Sequence, residues 1–498
     1  MKKRAPRVWH VRFAAAAAAL LLAAFMAGMA YAGDTVPDDP FSRYVRIGRM
    51  VSPGAVNMTP HAAIIREHAD SAIPPDVWVP GELLTQMNVP VKLSPEKTSY
   101  SIRVDKPAET FGLPALASLA PDAADLYFRA KSEDSKLYFN LTGMENITGL
   151  AYAFAPGDVL TVGALRHMSP YIAPYRKQPV PEKLTGRFNL VWDHVMNDNA
   201  DLTTEAPLTA VSVISPTWFV LLDETGRVGN RADVSYVESA HAQGIQVWAL
   251  VSNGFNKART GKFLADQKAQ DAFIASMLAY AKIYGFDGIN IDFESVDNKD
   301  AKPLTDFVRR FAASGREQGL LFSMDVTVPS RWSLCYERKQ LSQIVDYIAV
   351  MTYDEHWRTS PRAGSTASLP WVRAAIENTL AEVPSGKLLM GVPFYTREWR
   401  ETKGKNGKTS VKSRTFSMAS SDHKIATTGA QKKWLEAAGQ NYIEYTGDGD
   451  KFRVWIEDAE SIALRMGLLD KYGLAGAAFW RKGFETPDIW KVIEDASK

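Results

Sequence analysis

Residues 284–295 read YGFDGINIDFES, and the fold that we predict rests on this stretch. Its second half alternates apolar with polar side chains, namely Ile289, Asn290, Ile291, Asp292, Phe293 and Glu294. Such period-2 alternation with β-branched residues is typical of a β-strand. In a barrel of parallel strands, one face of each strand meets the surrounding helices and the other faces the barrel axis. The apolar set suits the helices, so one amide and two carboxyls are expected to point inward.

These inward-pointing polar side chains predict a functional site. Burying an amide or a carboxyl without a partner costs several kcal/mol, so a purely structural strand should not carry three of them. In parallel barrels the active site lies at the C-terminal ends of the strands, where Asp292 and Glu294 stand. Two neighbouring carboxyls push one pKa upward, which suits an acid that works near neutral pH.

The chain from residue 187 onward alternates apolar strand-like runs with helix-like segments, the pattern of a parallel α/β fold. Eight runs are strand candidates: FNLVWDHV, AVSVISPTWFVL, QVWALVSN, DGINIDFE, LFSMDVTVP, YIAVMTYDEHW, KLLMGVPFYTREW and GAAFWRKG. Eight such units predict a (β/α)8 TIM barrel. The strongest helix candidate covers residues 267–284 and ends before Gly285. The seventh and eighth strands are too far apart for one helix and loop, so a small insertion is predicted between them.

Residues 33–167 are expected to form a small β-rich N-terminal domain. Stretches such as VWVPGELL, NVPVKL and KLYFNLTG read as short strands joined by Pro, Asn and Ser turns. Residues 168–184 hold four prolines, which favour an extended linker over a packed element. The predicted division is therefore an accessory domain over residues 33–167, a linker over 168–184 and the barrel over 185–498.

Residues 1–32 have the pattern of a secretory signal peptide. A basic start, MKKRAPR, precedes an Ala- and Leu-rich run, and AYA at residues 30–32 is a small-x-small cleavage site. We expect cleavage there and export to the cell wall or periplasm. An uncleaved membrane anchor stays open as the alternative, because the apolar run approaches the ~20 residues that span a bilayer.

Composition excludes several classes of protein. Hydrophobic content of 46% and charged content of 23% are those of a globular protein and not of a disordered one. The formal net charge is +2, but residues 1–32 hold five basic and no acidic side chains, so the remainder is nearly neutral and nucleic acid is not expected as a partner. Cys335 is the single cysteine, which excludes an internal disulfide. We expect a monomer without a metal or cofactor.

The central stretch resembles the DxxDxDxE signature of glycoside hydrolase family 18, here as Asp287, Asn290, Asp292 and Glu294, with Asn where most members have Asp. The resemblance is strongest to the family's spore-germination and cell-wall branch. Other strand ends also match motifs of the family, namely Met351, Tyr353 and Asp354 in MxYD, Tyr395 in GVPFYTR and Trp480 after the eighth strand.

The resemblance implies a role for each matching residue. It implies that Glu294 is the general acid and then the base, and that Asp292 accepts the N–H of the substrate's acetamido group. Tyr353 is implied to bind the acetamido oxygen, and Trp480 to face the apolar side of a sugar. Asn290, Asp354, Met351, Tyr395 and Trp218 complete the predicted substrate-binding set, and core positions stay open for the tryptophans. Because Asn290 can hydrogen-bond to Asp292 but cannot share a proton with it, the acid–base pair is expected to be Asp292 and Glu294 alone.

The predicted N-terminal domain loosely resembles the small β-rich domain at the start of copper amine oxidases and on many bacterial wall proteins. No cluster of metal ligands accompanies the match, so no copper is inferred. A spacer or a domain that contacts the cell wall is the interpretation favoured here.

The resemblance implies an exported retaining hydrolase that cleaves β-1,4 bonds at N-acetylglucosamine in peptidoglycan. Two alternatives stay open at this point. One is a chitinase or chitooligosaccharide hydrolase with the same mechanism, and the other is a lectin-like barrel that binds the wall without cleaving it. The presence of Glu294 argues against the lectin, because lectin-like members of the family typically lose that residue.

Overall fold

The computed structural model describes residues 42–52, 55–155, 159–168, 184–196, 198–404 and 408–496. The predicted signal peptide and nearly all of the predicted linker lie outside these residues. Among the described helices, none has both the length and the hydropathy that crossing a membrane would need.

The N-terminal part of the chain is rich in β-structure, as predicted. Its strands are β1 (Ser42–Ser52), β2 (Ala55–Arg66), β3 (Asp76–Pro80), β4 (Val91–Leu93), β5 (Ser99–Asp105), β6 (Ala123–Arg129), β7 (Lys131–Glu133), β8 (Lys136–Asn140), β9 (Leu150–Ala155) and β10 (Val159–Ala164). They form a seven-stranded sheet in the order β7-β8-β3-β2-β1-β10-β9 and a three-stranded sheet in the order β4-β5-β6. Short helices join them, at Gly81–Gln86, Pro107–Phe111, Leu116–Leu119, Glu145–Thr148 and Leu165–Met168.

The rest of the chain forms the predicted barrel with additions at two places. Its strands are β11 (Phe188–Asp193), β12 (Val213–Pro216), β13 (Phe219–Leu221), β14 (Val228–Asn230), β15 (Gln246–Ser252), β16 (Gly288–Asp292), β17 (Leu321–Thr327), β18 (Tyr347–Met351), β19 (Leu388–Pro393), β20 (Tyr395–Lys403), β21 (Thr409–Ser417), β22 (Lys433–Leu435), β23 (Gln440–Gly447), β24 (Asp450–Ile456) and β25 (Gly476–Trp480). Eight of these pair in parallel in the order β12-β11-β25-β19-β18-β17-β16-β15, and pairing of β12 with β15 closes the barrel.

Helices surround the barrel strands. They are Val234–Ala242, Lys257–Ala265, Gln267–Tyr284, Ala301–Arg316, Arg338–Ile344, Leu369–Leu380, Ala459–Tyr472 and Asp488–Ala496, with short 3-10 turns at Asn298–Asp300 and Ser385–Lys387. The helix Gln267–Tyr284 confirms the predicted bounds. The side chain of Asp266 accepts hydrogen bonds from two backbone N–H groups at its start, and Gly285 adopts φ 77° at its end.

The predicted insertion between the seventh and eighth barrel strands is also present. It is an antiparallel sheet in the order β21-β20-β24-β23-β22, with the helix Met418–Thr428. The hairpin of β13 and β14 after the second barrel strand was not part of the prediction.

The alternating stretch that predicted the barrel behaves as expected. Ile289, Ile291 and Phe293 are fully buried on the helix side, where the ring of Phe293 stacks on Phe307 at 5.7 Å. Asn290 and Asp292 face the barrel axis instead. Below them a layer of aromatic rings from three strands fills the interior, and it consists of Phe188, Trp248 and Tyr347. The barrel is therefore a packed core whose polar side chains are gathered towards one end.

The N-terminal domain packs directly on the barrel wall, although the proline-rich stretch favoured a separate unit. Tyr280, on the helix Gln267–Tyr284, is fully buried between Phe128 of β6 and Phe219 of β13. Its hydroxyl accepts a hydrogen bond from the backbone N–H of Tyr127 (2.7 Å) and donates one to the Tyr127 carbonyl (2.9 Å). The two parts of the chain thus share one apolar core.

We predict that Tyr280→Phe lowers the free energy of unfolding by about 1–3 kcal/mol, because it removes the acceptor of the Tyr127 N–H, whereas the Tyr127 carbonyl keeps its hydrogen bond from Asn230. Urea denaturation followed by tryptophan fluorescence measures the change. Tyr472→Phe is the matched control, since its hydroxyl donates to Glu377 at the surface, and it should change stability by no more than about 0.5 kcal/mol. Equal effects of the two substitutions would contradict the prediction.

Candidate active site

Side chains from the ends of three barrel strands meet at one end of the barrel. Asp292 ends β16 and Glu294 follows it, while Tyr353 and Asp354 follow β18 and Trp480 ends β25. These residues line a single cleft of about 960 Å³ together with Met351 and Tyr395. The structure therefore brings together seven of the nine predicted site residues. The other two, Asn290 and Trp218, lie elsewhere.

Burial governs the two carboxyls of β16. Burial raises the pKa of Asp292 well above its ordinary value, and the nearby carboxyls of Glu294 and Asp325 raise it further. Burial also raises the pKa of Glu294, to about 6, with a smaller contribution from the charge of Asp354. The Oδ1 atom of Asp292 has no hydrogen-bond partner among the described residues. The cleft thus holds one carboxyl that can be an acid near neutral pH, Glu294, and a second, more deeply buried one, Asp292.

The position of Glu294 is fixed through its backbone. The side chain of Asn253, which follows β15, donates to the Glu294 carbonyl (2.6 Å) and accepts from the Glu294 N–H (3.1 Å). Asn253 is itself fully buried, and it also donates to the hydroxyl of Thr260. This clamp stabilises the chain just past the end of β16, where Glu294 must point into the cleft.

Asn290 lies beneath the cleft and does not bond to Asp292, so the interpretation of Asn290 as a substrate-binding residue paired with Asp292 is wrong. Its Nδ2 donates to Ser323 Oγ (2.9 Å) and to Asp325 Oδ1 (2.8 Å). Its Oδ1 accepts from Trp192 Nε1 (2.8 Å) and from Ser215 Oγ (3.2 Å). Every hydrogen-bonding position of the amide is therefore used within the protein, and the side chain is fully buried.

Trp218 is also outside the cleft, and the prediction that it binds substrate is wrong. The indole is fully buried, packs on Tyr236 and donates to Asn199 Oδ1 at 2.6 Å. Its neighbours Thr217 and Phe219 line the cleft instead. The chain turns between β12 and β13, which directs the indole towards the helix layer.

Two side chains of β20 orient Asp354. The hydroxyl of Tyr395 donates to Asp354 Oδ1 (2.7 Å), and Arg397 Nη2 donates to the same atom (2.8 Å). The ring of Tyr353 meets that of Tyr395 edge-on at 6.1 Å. Burial raises the pKa of Tyr353 well above its ordinary value, so its phenol stays protonated and can donate a hydrogen bond.

Comparison with known proteins gives the family of the chain. Residues 127–484 match the model of Glycosyl hydrolases family 18. The chain belongs to this family. It is therefore a glycosidase.

Relatives and solved structures agree with this assignment. The chain is 24% identical over 265 residues to the cortical fragment-lytic enzyme of Bacillus subtilis, covering 51% of this chain and 61% of that protein. It is 28% identical over 265 residues to chitinase A1 of Niallia circulans, covering 43% of this chain and 37% of that one. The crystal structure of the Bacillus cereus spore cortex-lytic enzyme SleL covers 80% of this chain and 98% of its own, with a TM-score of 0.55 at 19% identity, which shows the shared fold.

Sequence reasoning missed one carboxyl of the family 18 cleft, Asp325. It lies near the end of β17, is almost fully buried and lines the cleft beside Asp292. A signal was present in LFSMDVTVP, because an Asp near the C-terminal end of an apolar barrel strand satisfies the rule that identified Asp292. The family motifs drew attention to four other strands and away from this one.

Gly391 of β19 allows β19 to approach β18 closely, beside the ring of Tyr353. A Cβ atom there would lie 2.7 Å from the Val350 carbonyl oxygen and 3.1 Å from Tyr353 Cε1. We predict that Gly391→Ala lowers the free energy of unfolding by about 1–3 kcal/mol, because strand backbone would have to move. Urea denaturation measures it. Gly467→Ala is the control, since a Cβ there meets no atom within 4 Å and should be neutral or stabilising.

Proposed function

We propose that this glycosidase is an exported retaining enzyme that cleaves β-1,4 bonds at N-acetylglucosamine in peptidoglycan, with the substrate's own acetamido group as nucleophile. The observation that carries the proposal is the Asp292 carboxyl, which lines the cleft beside Glu294 and has an oxygen, Oδ1, without a hydrogen-bond partner among the described residues. An acetamido N–H is a donor that would satisfy it.

The proposed reaction begins when Glu294 donates its proton to the oxygen of the leaving sugar. The acetamido oxygen attacks the anomeric carbon as the glycosidic bond breaks, which gives an oxazolinium-like intermediate. Asp292 accepts the acetamido N–H and stabilises the positive charge, and the Tyr353 hydroxyl donates to the acetamido oxygen. Glu294, now ionised, removes a proton from the attacking water. The water adds to the face that the leaving group occupied, so the configuration is retained.

The aromatic wall of the cleft supports a sugar as substrate. Trp480 lines the cleft with its ring 6.0 Å from that of Trp192, which braces it. Trp357 lines the rim and is half exposed, as is Phe255. Flat rings of this kind pack against the apolar faces of sugar rings.

Peptidoglycan is proposed over chitin on two grounds. The relatives include cortical fragment-lytic enzymes of Bacillus, and the N-terminal domain loosely resembles domains of bacterial wall proteins. Wall contact through that domain and export through residues 1–32 are parts of the same proposal. The similarity to chitinase A1 supports chitin as the second candidate.

We expect that the full chain releases new reducing ends from purified peptidoglycan and that Glu294→Gln lowers kcat by at least about a hundredfold, because the acid is lost. Mass spectrometry of the products identifies the sugar at each new end. Glucosamine-type ends that disappear in the variant would support the proposal. Cleavage of chitin oligomers alone would favour the second candidate, and binding of either polymer without Glu294-dependent cleavage would overturn both.

A second prediction concerns pH. Glu294 donates only when protonated, so kcat/KM should fall as the pH rises through its pKa of about 6. The charge of Asp354 contributes to that raised pKa. Asp354→Asn should therefore move the alkaline limb of the profile to lower pH. The control Asp297→Asn removes a partly exposed carboxyl that pairs with Lys257 and is not among the charges that raise the Glu294 pKa, so its profile should match that of the wild type. An unshifted limb in Asp354→Asn would refute the assignment.

A further inference from the structure

Three carboxyls lie together at the end of the barrel. In the parallel pairing of β16 with β17, Asn290 lies opposite Ser323 and Ile291 opposite Met324, and the next residues along the two strands are Asp292 and Asp325. Both side chains face the barrel axis and line the cleft. Neighbouring strands are about 4.8 Å apart, so the two carboxyls are neighbours in one layer. Glu294 lies one layer above them.

These carboxyls cannot all be ionised. Asp292 and Asp325 are each more than nine-tenths buried, and among the described residues no Lys, Arg or His forms an ion pair with either of them or with Glu294. Three adjacent negative charges without a cation would be strongly disfavoured in such a site. Burial raises the pKa of Asp325 to about 8, and the charge of Glu294 adds to the effect. The cluster therefore holds protons at neutral pH.

Asn290 orients Asp325 for this role. Its Nδ2 donates to Asp325 Oδ1, which fixes that oxygen as an acceptor, so a proton on Asp325 would be carried by Oδ2. The remaining groups that face Asp325 are the indole of Trp192 from β11, the phenol of Tyr353 after β18 and the two carboxyls of β16. None of them is a cation, so an ionised Asp325 has no compensating charge beside it.

We propose that Asp292 and Asp325 share one proton, and that Asp325 is a positioning residue that takes this proton when Asp292 binds the substrate's acetamido N–H. The inference rests on the proposed function. In the empty site the proton is on Asp292. As the acetamido group arrives, the proton leaves Asp292 and Asp325 accepts it. The pair keeps one proton and one negative charge throughout, so no charge is added to the buried site.

This arrangement explains how the site can function with Asn290 at the position where most members of the family have Asp. An Asn at that position cannot take a proton from Asp292, and its amide is fully occupied by four other partners. The carboxyl on the neighbouring strand supplies the missing proton acceptor. The acid–base machinery therefore consists of Asp292, Glu294 and Asp325, and not of the β16 pair alone.

The test is the variant Asp325→Asn, which keeps the shape and the acceptor for Asn290 but cannot take the proton. We expect kcat to fall by about a hundredfold with KM within about twofold, and the pH profile of kcat to change. The double variant Asn290→Asp with Asp325→Asn places the carboxyl at position 290 instead. Its kcat should be at least about tenfold higher than that of Asp325→Asn. Ser323→Ala is the matched control, because it removes the other acceptor of Asn290 without touching a carboxyl, and its pH profile should match that of the wild type.

An Asp325→Asn enzyme with unchanged kcat and pH profile would overturn the inference, and so would the absence of any rescue in the double variant. A second measurement uses the folded Glu294→Gln protein and a chitin oligomer as a probe of acetamido binding. Calorimetry in buffers of different ionisation enthalpy should show no net proton release on binding, whereas release of a full proton would contradict a shared proton. If the wild-type protein cleaves neither peptidoglycan nor chitin oligomers, the proposed function is refuted, independently of the result for Asp325→Asn.

Discussion

The amide of Asn290 is the interaction on which the site depends. Its four hydrogen bonds join side chains from β11, β12 and β17 to β16 across the barrel axis. Each partner is buried, so each bond forms where water cannot replace it. This polar layer separates the aromatic rings below from the acidic cleft above. These hydrogen bonds fix the positions of the side chains that form the floor of the cleft.

Above that floor, burial raises the pKa values of the cleft carboxyls. Carboxyls that would be fully ionised in water are placed where their neutral forms are favoured, and the one with the pKa near 6 is the one closest to solvent. Hydrogen bonds from the surrounding residues then orient each of these carboxyl-bearing residues differently. Asn253 fixes the backbone of Glu294, Asn290 orients Asp325, and Tyr395 with Arg397 orients Asp354. Amides, a phenol and a guanidinium thus do most of the positioning.

The sequence predicted the barrel because alternation in 288–294 and the eight apolar runs are local patterns. It predicted seven site residues because polar side chains at strand ends converge in any such barrel. Trp218 was beyond this reasoning, since one turn of the backbone after β12 decides whether its ring enters the cleft or the helix layer. The partners of Asn290 come from strands up to 98 residues away, and no local pattern reveals them.

The contact around Tyr280 was equally hidden, because it joins residues 153 positions apart. It has a consequence for how the molecule is held together. The ring of Tyr280 stacks on Phe219, which forms part of the cleft wall, and its hydroxyl holds the N-terminal sheet. The N-terminal domain is therefore attached to the barrel by buried apolar contacts as well as by the covalent chain. The buried contacts of Tyr280 therefore fix the orientation of the N-terminal domain relative to the cleft.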